Sequence, residues 1–318
     1  MWLQVKMYLI LGMFFGVIYA LLSMIGAYMG IGSFMFYGIL ATVMMLVQYM
    51  ICPKIVDWSM KVKYVSEKEH PELHRMVAEL AKKAKISKPR IGISRASIPN
   101  AFAFGRWESD SRVCVTEKLL DLLSKEELKA VLGHEIAHIK NRDVLAITLM
   151  SVVPTIAWYF AQSMLFSSLR DRDRGGNIAI GAAAFGIYFL TNLLVLYASR
   201  IREYYADKDS VALGNKPSTL ASALYKLVYG SAKTPKSLLK ETEGMKAFFA
   251  NDPSRAVSEF NDLMALDMDK SGSIDEAELA AIRGKKAKVS GMDKFMELLS
   301  THPNMVKRIS ALSELRAR

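Results

Sequence analysis

Two histidines spaced four residues apart lie beside a glutamate in the segment His134-Glu135-Ile136-Ala137-His138. On a helix, residues at this spacing share one face, so both imidazoles could bind a single metal ion. Glu135 would lie about 100° around the helix, where it could act as a general base toward a water molecule on that metal. The segment therefore predicts a zinc site of the kind found in zincin metalloproteases.

The residues around this segment predict the helix that such a site requires. Ser124 followed by Glu127 is typical of a capping box, in which each residue hydrogen-bonds the backbone of the other. Apolar residues then recur at helical spacing, at Leu128, Val131, Leu132, Ile136 and Ile139. The alternative is a pair of surface histidines without a metal, and the helix start and the adjacent glutamate argue against it.

A third ligand is expected because a catalytic zinc ion commonly has three protein ligands and one open position. Glu203 lies in the charged run that follows a long apolar stretch, and its carboxylate would complete a His-His-Glu set. Asp207 follows by one helical turn and could accept the free ring N–H of a ligating histidine. The alternative is that these charges, like Arg200 and Arg202, mark a membrane interface.

Residues 267–278 satisfy every position of the twelve-residue EF-hand loop. The predicted oxygen ligands are Asp267, Asp269, Ser271, the carbonyl of Ser273, Asp275 and Glu278. Gly272 occupies the position at which the loop turns sharply, and helical patterns flank the loop on both sides. A calcium site is therefore predicted. EF-hands normally occur in pairs, so the alternatives are a single loop that binds calcium weakly, one that pairs with another subunit, and one that only retains the sequence.

Apolar residues make up 52% of the 318-residue chain and are concentrated in long runs. Residues 8–29 and 31–52 are nearly free of charge, and each has about the twenty residues that a helix needs to cross a bilayer. A secretory signal is the alternative for the first run, but the run is long for one and a second follows almost at once. A transmembrane hairpin is therefore predicted for residues 1–52.

A second hairpin is predicted for residues 143–198, from apolar stretches at 144–169 and 178–198. The loop between these stretches carries several arginines, which are unusual on the outer side, so a pair that dips into the membrane without crossing is the alternative. The segment from Lys54 to Arg142 is rich in lysine and arginine, which the positive-inside rule assigns to the cytoplasm. The metal site is thus expected to face the cytoplasm from the cell (inner) membrane.

The net charge of +11 favours contact with membrane lipids, through their anionic head groups. Basic chains also bind nucleic acid, but the sequence has no recognisable nucleic-acid-binding module, so no such partner is expected. Cys52 and Cys114 are too few for a disulfide framework and are expected to be reduced structural thiols.

The order of these motifs resembles the HtpX family of membrane-embedded zinc metalloproteases, which is distantly related to the prenyl-protein endopeptidases. The segment 100–105, which reads Asn-Ala-Phe-Ala-Phe-Gly, and the block Thr301-His302-Pro303 with Arg308 also match that family's pattern in order. The resemblance covers most of the chain, and the EF-hand-like loop is a departure from it.

The resemblance implies a role for each matching residue. The implied zinc ligands are His134, His138 and Glu203. Glu135 would be the base that activates water, and His302 would donate a hydrogen bond to the oxyanion. Asn100 and Ala101 would lie on an edge strand that holds an extended substrate through its backbone. A core strand and a surface histidine are the alternatives for these last two blocks.

We therefore expect a mainly α-helical integral membrane protein with four transmembrane helices, a zincin-like (gluzincin) catalytic domain and a small β-sheet, with strands near 91–95 and 101–116. The predicted parts are a hairpin at 1–52, a cytoplasmic catalytic region at 53–142, a second hairpin at 143–198 and a cytoplasmic helical region at 199–318. The expected function is zinc-dependent cleavage of misfolded or damaged membrane proteins in quality control. The alternatives are a prenyl-protein endopeptidase and a calcium-binding membrane scaffold, although a scaffold would have no use for Glu135.

Overall fold

The computed structural model describes residues 34–168, 174–235, 238, 255–284 and 291–315. The first predicted membrane run and the loop at 169–173 lie outside these ranges. The helices are α1 (Phe34–Ser59), α2 (Pro71–Ala84), α3 (Glu117–Leu122), α4 (Lys125–Lys140), α5 (Asp143–Met150), α6 (Val152–Ser168), α7 (Arg174–Ala212), α8 (Pro217–Ala232), α9 (Ala256–Leu263), α10 (Glu276–Ile282), α11 (Gly291–Leu298) and α12 (Met305–Ser313). The strands are β1 (Val62–Tyr64), β2 (Arg90–Ser94), β3 (Ala101–Phe104) and β4 (Arg112–Thr116). The chain is mainly helical with a small sheet, as predicted.

The chain divides into two compact units. The first comprises Pro53–Leu145 and Ser199–Arg318, and it contains the sheet and the described residues of all the motifs identified above. The second comprises Trp2–Cys52 and Ala146–Ala198 and consists, where described, of apolar helical segments.

Two stretches of the described chain are long and apolar enough to cross a membrane, Asp143–Leu165 and Ile178–Ala212. Large apolar side chains on both are exposed, including Leu149, Val153 and Leu190. These stretches correspond to the second predicted hairpin. The other two predicted spans are not tested in this way, because the first lies outside the described residues and the second is described only in part.

The sheet has the strand order β1-β2-β4-β3, so β3 is an edge strand. Strands β2 and β4 are parallel, whereas β1 and β3 run antiparallel to their neighbours. The segment 101–116 contains two strands rather than one because the chain turns at Gly105, where φ is +151°. A Cβ atom there would lie 2.5 Å from the carbonyl oxygen of Asp110, so only glycine fits.

The core of the first unit lies between the sheet and the helices packed against it. Helix α4 contacts α2, α8 and β3, and α8 in turn contacts α9 and α12. Ser124 and Glu127 form the predicted capping box at the start of α4. The carboxylate of Glu127 also accepts a hydrogen bond from Ser222 on α8, with an oxygen–oxygen distance of 2.6 Å. The start of α4 is thereby fixed both locally and by its neighbour.

Candidate metal centre

The three predicted zinc ligands converge from two helices. Helix α4 carries His134 and His138, whose Nε2 atoms are 3.1 Å apart. Helix α7 carries Glu203, whose carboxylate oxygens lie 3.5 Å from Nε2 of His134 and 3.6 Å from Nε2 of His138. Ligand atoms about 2.1 Å from a tetrahedral zinc ion would be about 3.4 Å from one another. The three side chains therefore fit around one such ion.

Both histidine rings are oriented by a second carboxylate. Nδ1 of His134 lies 2.8 Å from Oδ1 of Asp207, and Nδ1 of His138 lies 2.5 Å from Oδ2 of Asp143. A carboxylate accepts the Nδ1–H, which leaves the lone pair of Nε2 facing Glu203. Asp207 was predicted for this position. Asp143 was not, although an aspartate just beyond the end of α4 was a signal that could have suggested it.

Close packing of α4 on α7 brings the ligands together, and Gly133 makes this packing possible. A Cβ atom at Gly133 would lie 2.4 Å from Nδ2 of Asn215 and 2.8 Å from Oγ of Ser210. Ser210 donates a hydrogen bond of 2.7 Å to the carbonyl oxygen of Ala130, one turn before His134. The absence of a side chain at Gly133 therefore helps to set the distance between the two helices.

Arg308 on α12 is fully buried against the acidic residues of the site. Its guanidinium donates to both carboxylate oxygens of Asp207, at 2.6 and 2.9 Å. Its Nη1 lies 3.0 Å from Oε2 of Glu203, a buried atom that accepts no hydrogen bond of good geometry. Burial alone would lower the pKa of Arg308, but Asp207 and Glu203 outweigh it and raise the pKa. In the sequence, Arg308 was noted only as part of the block that begins at Thr301, and its contacts with Asp207 and Glu203 were not predicted.

Glu135 is also buried, with 4% of its surface exposed. Burial raises the pKa of its carboxyl, and the charges of His134 and His138 act in the opposite direction. The backbone N–H of Ala103, on β3, donates a hydrogen bond to this carboxyl group. The edge strand and the predicted base are thus in direct contact.

Along β3, the backbone groups of every second residue face the open edge of the sheet rather than β4. The backbone N–H of Asn100 donates to Oγ1 of Thr116, and its carbonyl accepts from the N–H of Thr116, both at 2.9 Å. In an antiparallel pair, residues that bond the neighbouring strand alternate with residues whose backbone faces away. Ala101 and Ala103 therefore present their backbone groups at the open edge. Ala103 was missed because an alanine gives no chemical signal in a sequence.

His302 lies beside the group of ligands, with Nε2 3.6 Å from Oε1 of Glu203. Its Nδ1 is 2.9 Å from Oγ1 of Thr301. The block in which it lies is thus next to the site although it is distant in the chain.

The EF-hand-like loop forms the second group that could hold a metal ion within the described residues, through Asp267, Asp269 and Glu278. Helices α9 and α10 flank it, as predicted. The N–H of Ser271 donates to both aspartates at 2.9 Å, and the hydroxyl of Tyr225, on α8, donates to Asp267. Gly272 has φ of +80°, a value that favours glycine at the sharp turn.

Comparison with known proteins identifies the family. Residues 67–316 match the family described as Peptidase family M48. The chain belongs to peptidase family M48. A Protease HtpX homolog from Methanothermobacter thermautotrophicus is 51% identical over 226 residues, which cover 71% of this chain and 86% of that protein. Protease HtpX homolog 2 from Methanosarcina acetivorans is 33% identical over 93% of this chain and 84% of its own length.

A solved structure shares the fold of this chain. Ste24p from S. mikatae matches with a TM-score of 0.58 and 17% sequence identity, over 96% of this chain and 64% of the length of Ste24p. That likeness concerns the fold alone. The family match and the HtpX relatives together show that the chain is a membrane metallopeptidase. The predicted resemblance to the HtpX family is thereby confirmed.

Proposed function

We propose that this M48 chain is a zinc-dependent endopeptidase that cleaves misfolded or damaged membrane proteins on their cytoplasmic side. The observation that carries the proposal is the convergence of His134, His138 and Glu203 on one point, with Glu135 on the same helix. Two imidazoles and a carboxylate form a ligand set that suits zinc and leaves a coordination position open.

The proposed reaction is hydrolysis of a peptide bond by water. When bound, zinc would supply a Lewis acid that acidifies water and polarises the carbonyl of the substrate. Glu135 would accept the proton from water and donate it to the leaving amine. His302 would donate a hydrogen bond to the developing oxyanion, and Arg308 would hold Glu203 and Asp207 in place.

The substrate would bind as an extended strand against β3. The backbone groups of Ala101 and Ala103 face the open edge, and Ala103 contacts the base through its N–H. Pairing of main chains would place a peptide along this edge and would depend little on substrate sequence. Misfolded proteins offer such extended segments, which supports a role in quality control.

The first test is cleavage of an unfolded membrane protein in detergent with added zinc. The Glu135→Gln variant, at matched metal content, is expected to lose about 10²–10⁴-fold in rate, since it removes the base. Glu126→Gln is the matched control because Glu126 is exposed on the same helix. Equal rates in all three proteins would reject the assignment of Glu135. Cleavage of a prenylated peptide, but not of the unfolded protein, would favour a prenyl-protein endopeptidase.

We also propose that the loop at 267–278 binds calcium. Asp267 and Glu278 are buried, and together with Asp269 they place carboxylate oxygens within 4.8 Å of one another. Calcium prefers six to eight such oxygen ligands. Titration of the purified protein with calcium, followed by calorimetry, tests the site directly. If proteolysis, stability and oligomeric state are all unchanged when calcium is removed, calcium does not regulate the enzyme.

A further inference from the structure

A cavity of about 440 Å³ lies beside the metal centre. It is lined by the end of β3 with the turn that follows, residues 103–109, and by the junction of α4 and α5 around residues 138–145. Ala103 and His138 both contribute to its wall. The cavity is therefore continuous with the open strand edge on one side and with a predicted metal ligand on the other.

Much of the cavity wall is apolar and accessible. Trp107 is 52% exposed, Val144 41% and Leu145 37%, and all three line the cavity. Phe104 and Ile139 complete the apolar lining. Exposed apolar side chains gathered around a concave site of this volume are typical of ligand pockets.

Three charged side chains of the wall, those of Arg106, Glu108 and Asp143, are paired with other protein groups. Arg106 donates to Asp110 at 2.7 Å and also lies over the ring of Trp107, 4.7 Å from its centre. Glu108 accepts a hydrogen bond of 2.9 Å from the N–H of Ser87. Asp143 bonds His138. An apolar group could therefore enter without leaving these charges unpaired, which keeps the cost of desolvation low.

We propose that this cavity is a substrate subsite that selects a large apolar side chain next to the cleaved bond, with Val144 and Leu145 as specificity-determining residues. The subsite rests on the proposed function, because it is defined by the strand edge and the metal ligand that it adjoins. Val144 and Leu145 also begin the apolar stretch Asp143–Leu165. The side chains that this wall matches are aromatic and large aliphatic ones, which are frequent in membrane proteins.

The first experiment compares cleavage of a peptide library by wild type, Val144→Trp and Val153→Trp. Wild type is expected to prefer Phe, Leu or Met over Ala next to the cleaved bond by at least about tenfold. Val144→Trp, which narrows the cavity, is expected to lose that preference, so that the ratio of cleavage at Phe, Leu or Met sites to cleavage at Ala sites falls to about one. Val153→Trp is the control, because Val153 is exposed on α6 and does not line the cavity. An unchanged profile in Val144→Trp overturns the subsite.

A binding experiment separates failure of the subsite from failure of the proposed function. Two synthetic peptides that differ in one central residue, Phe or Ala, are titrated onto Glu135→Gln protein with and without Val144→Trp. Tighter binding of the Phe peptide, erased by Val144→Trp, supports the cavity even if wild type cleaves nothing. Equal binding of both peptides overturns it, whatever the cleavage assay gives. Thermal unfolding checks each variant, and Val144→Ala, which enlarges the cavity, replaces any Trp variant that fails to fold.

Discussion

The two groups of side chains that could hold a metal ion are built in opposite ways. His134, His138 and Glu203 come from two helices, and a third helix supplies Arg308 to balance the acidic charge. Asp267 and Glu278 instead belong to twelve consecutive residues, and backbone N–H groups of the same loop bond to them. The first group depends on the packing of the whole unit, whereas the second is largely specified by its own segment.

This difference predicts how each group responds to substitution. A buried carboxylate is tolerated only when charges or hydrogen bonds compensate it. In the metal centre, one distant arginine is the permanent cation that pairs with both Glu203 and Asp207. In the loop, several backbone N–H groups hydrogen-bond the buried carboxylates, as those of Ser271 and Gly272 do to Asp267. Changes in helix contacts should therefore disrupt the metal centre and leave calcium binding by the loop intact.

The largest effect is expected for Arg308→Met. The substitution keeps an apolar stem of similar size but leaves two buried carboxylates without their cation. The free energy of unfolding of the metal-free protein should fall by about 3–5 kcal/mol. Denaturant unfolding in detergent measures this loss.

Arg75→Met is the control for Arg308→Met. Arg75 is largely exposed and pairs with Glu72 one turn away, so its loss should change stability by less than about 1 kcal/mol. Similar small effects for both variants would show that Arg308 does not carry the charge balance of the site.

The next largest effect is expected for Glu278→Gln in the loop, on the stabilisation of the protein by calcium. Calcium at about 100 times its dissociation constant should stabilise the wild-type protein by about 2.7 kcal/mol. Glu278→Gln removes the predicted bidentate ligand and should abolish most of this shift while zinc-dependent cleavage persists. The measurement is the midpoint of thermal unfolding with and without calcium. Glu276→Gln is the control, since Glu276 is exposed and pairs with Lys216, and it should keep the calcium shift.

The sequence predicted the local structure around both groups, namely the capped helix α4 and the helices that flank the loop. The capping box and the spacing of His134 and His138 depend only on neighbouring residues, and so does the EF-hand-like loop. The parts that were not predicted act over long distances in the chain: the guanidinium of Arg308 reaches Glu203 from α12, and Ala103 contributes only a backbone N–H to Glu135. The turn within 101–116 was also missed, because it depends on the close approach of Gly105 to Asp110.

Gly133→Ala tests the dependence on packing with the smallest possible change. The added methyl group would collide with the side-chain ends of Asn215 and Ser210, so these two side chains must shift and the packing of α4 on α7 is expected to loosen. Overpacking of this kind typically costs about 1–3 kcal/mol, and the displaced Glu203 should also weaken zinc binding. Zinc and calcium affinities are measured in the same protein by calorimetry. Gly186→Ala is the matched control, because nothing lies within 4 Å of a Cβ atom there. A fall in calcium affinity as large as the fall in zinc affinity would contradict the contrast between the two groups.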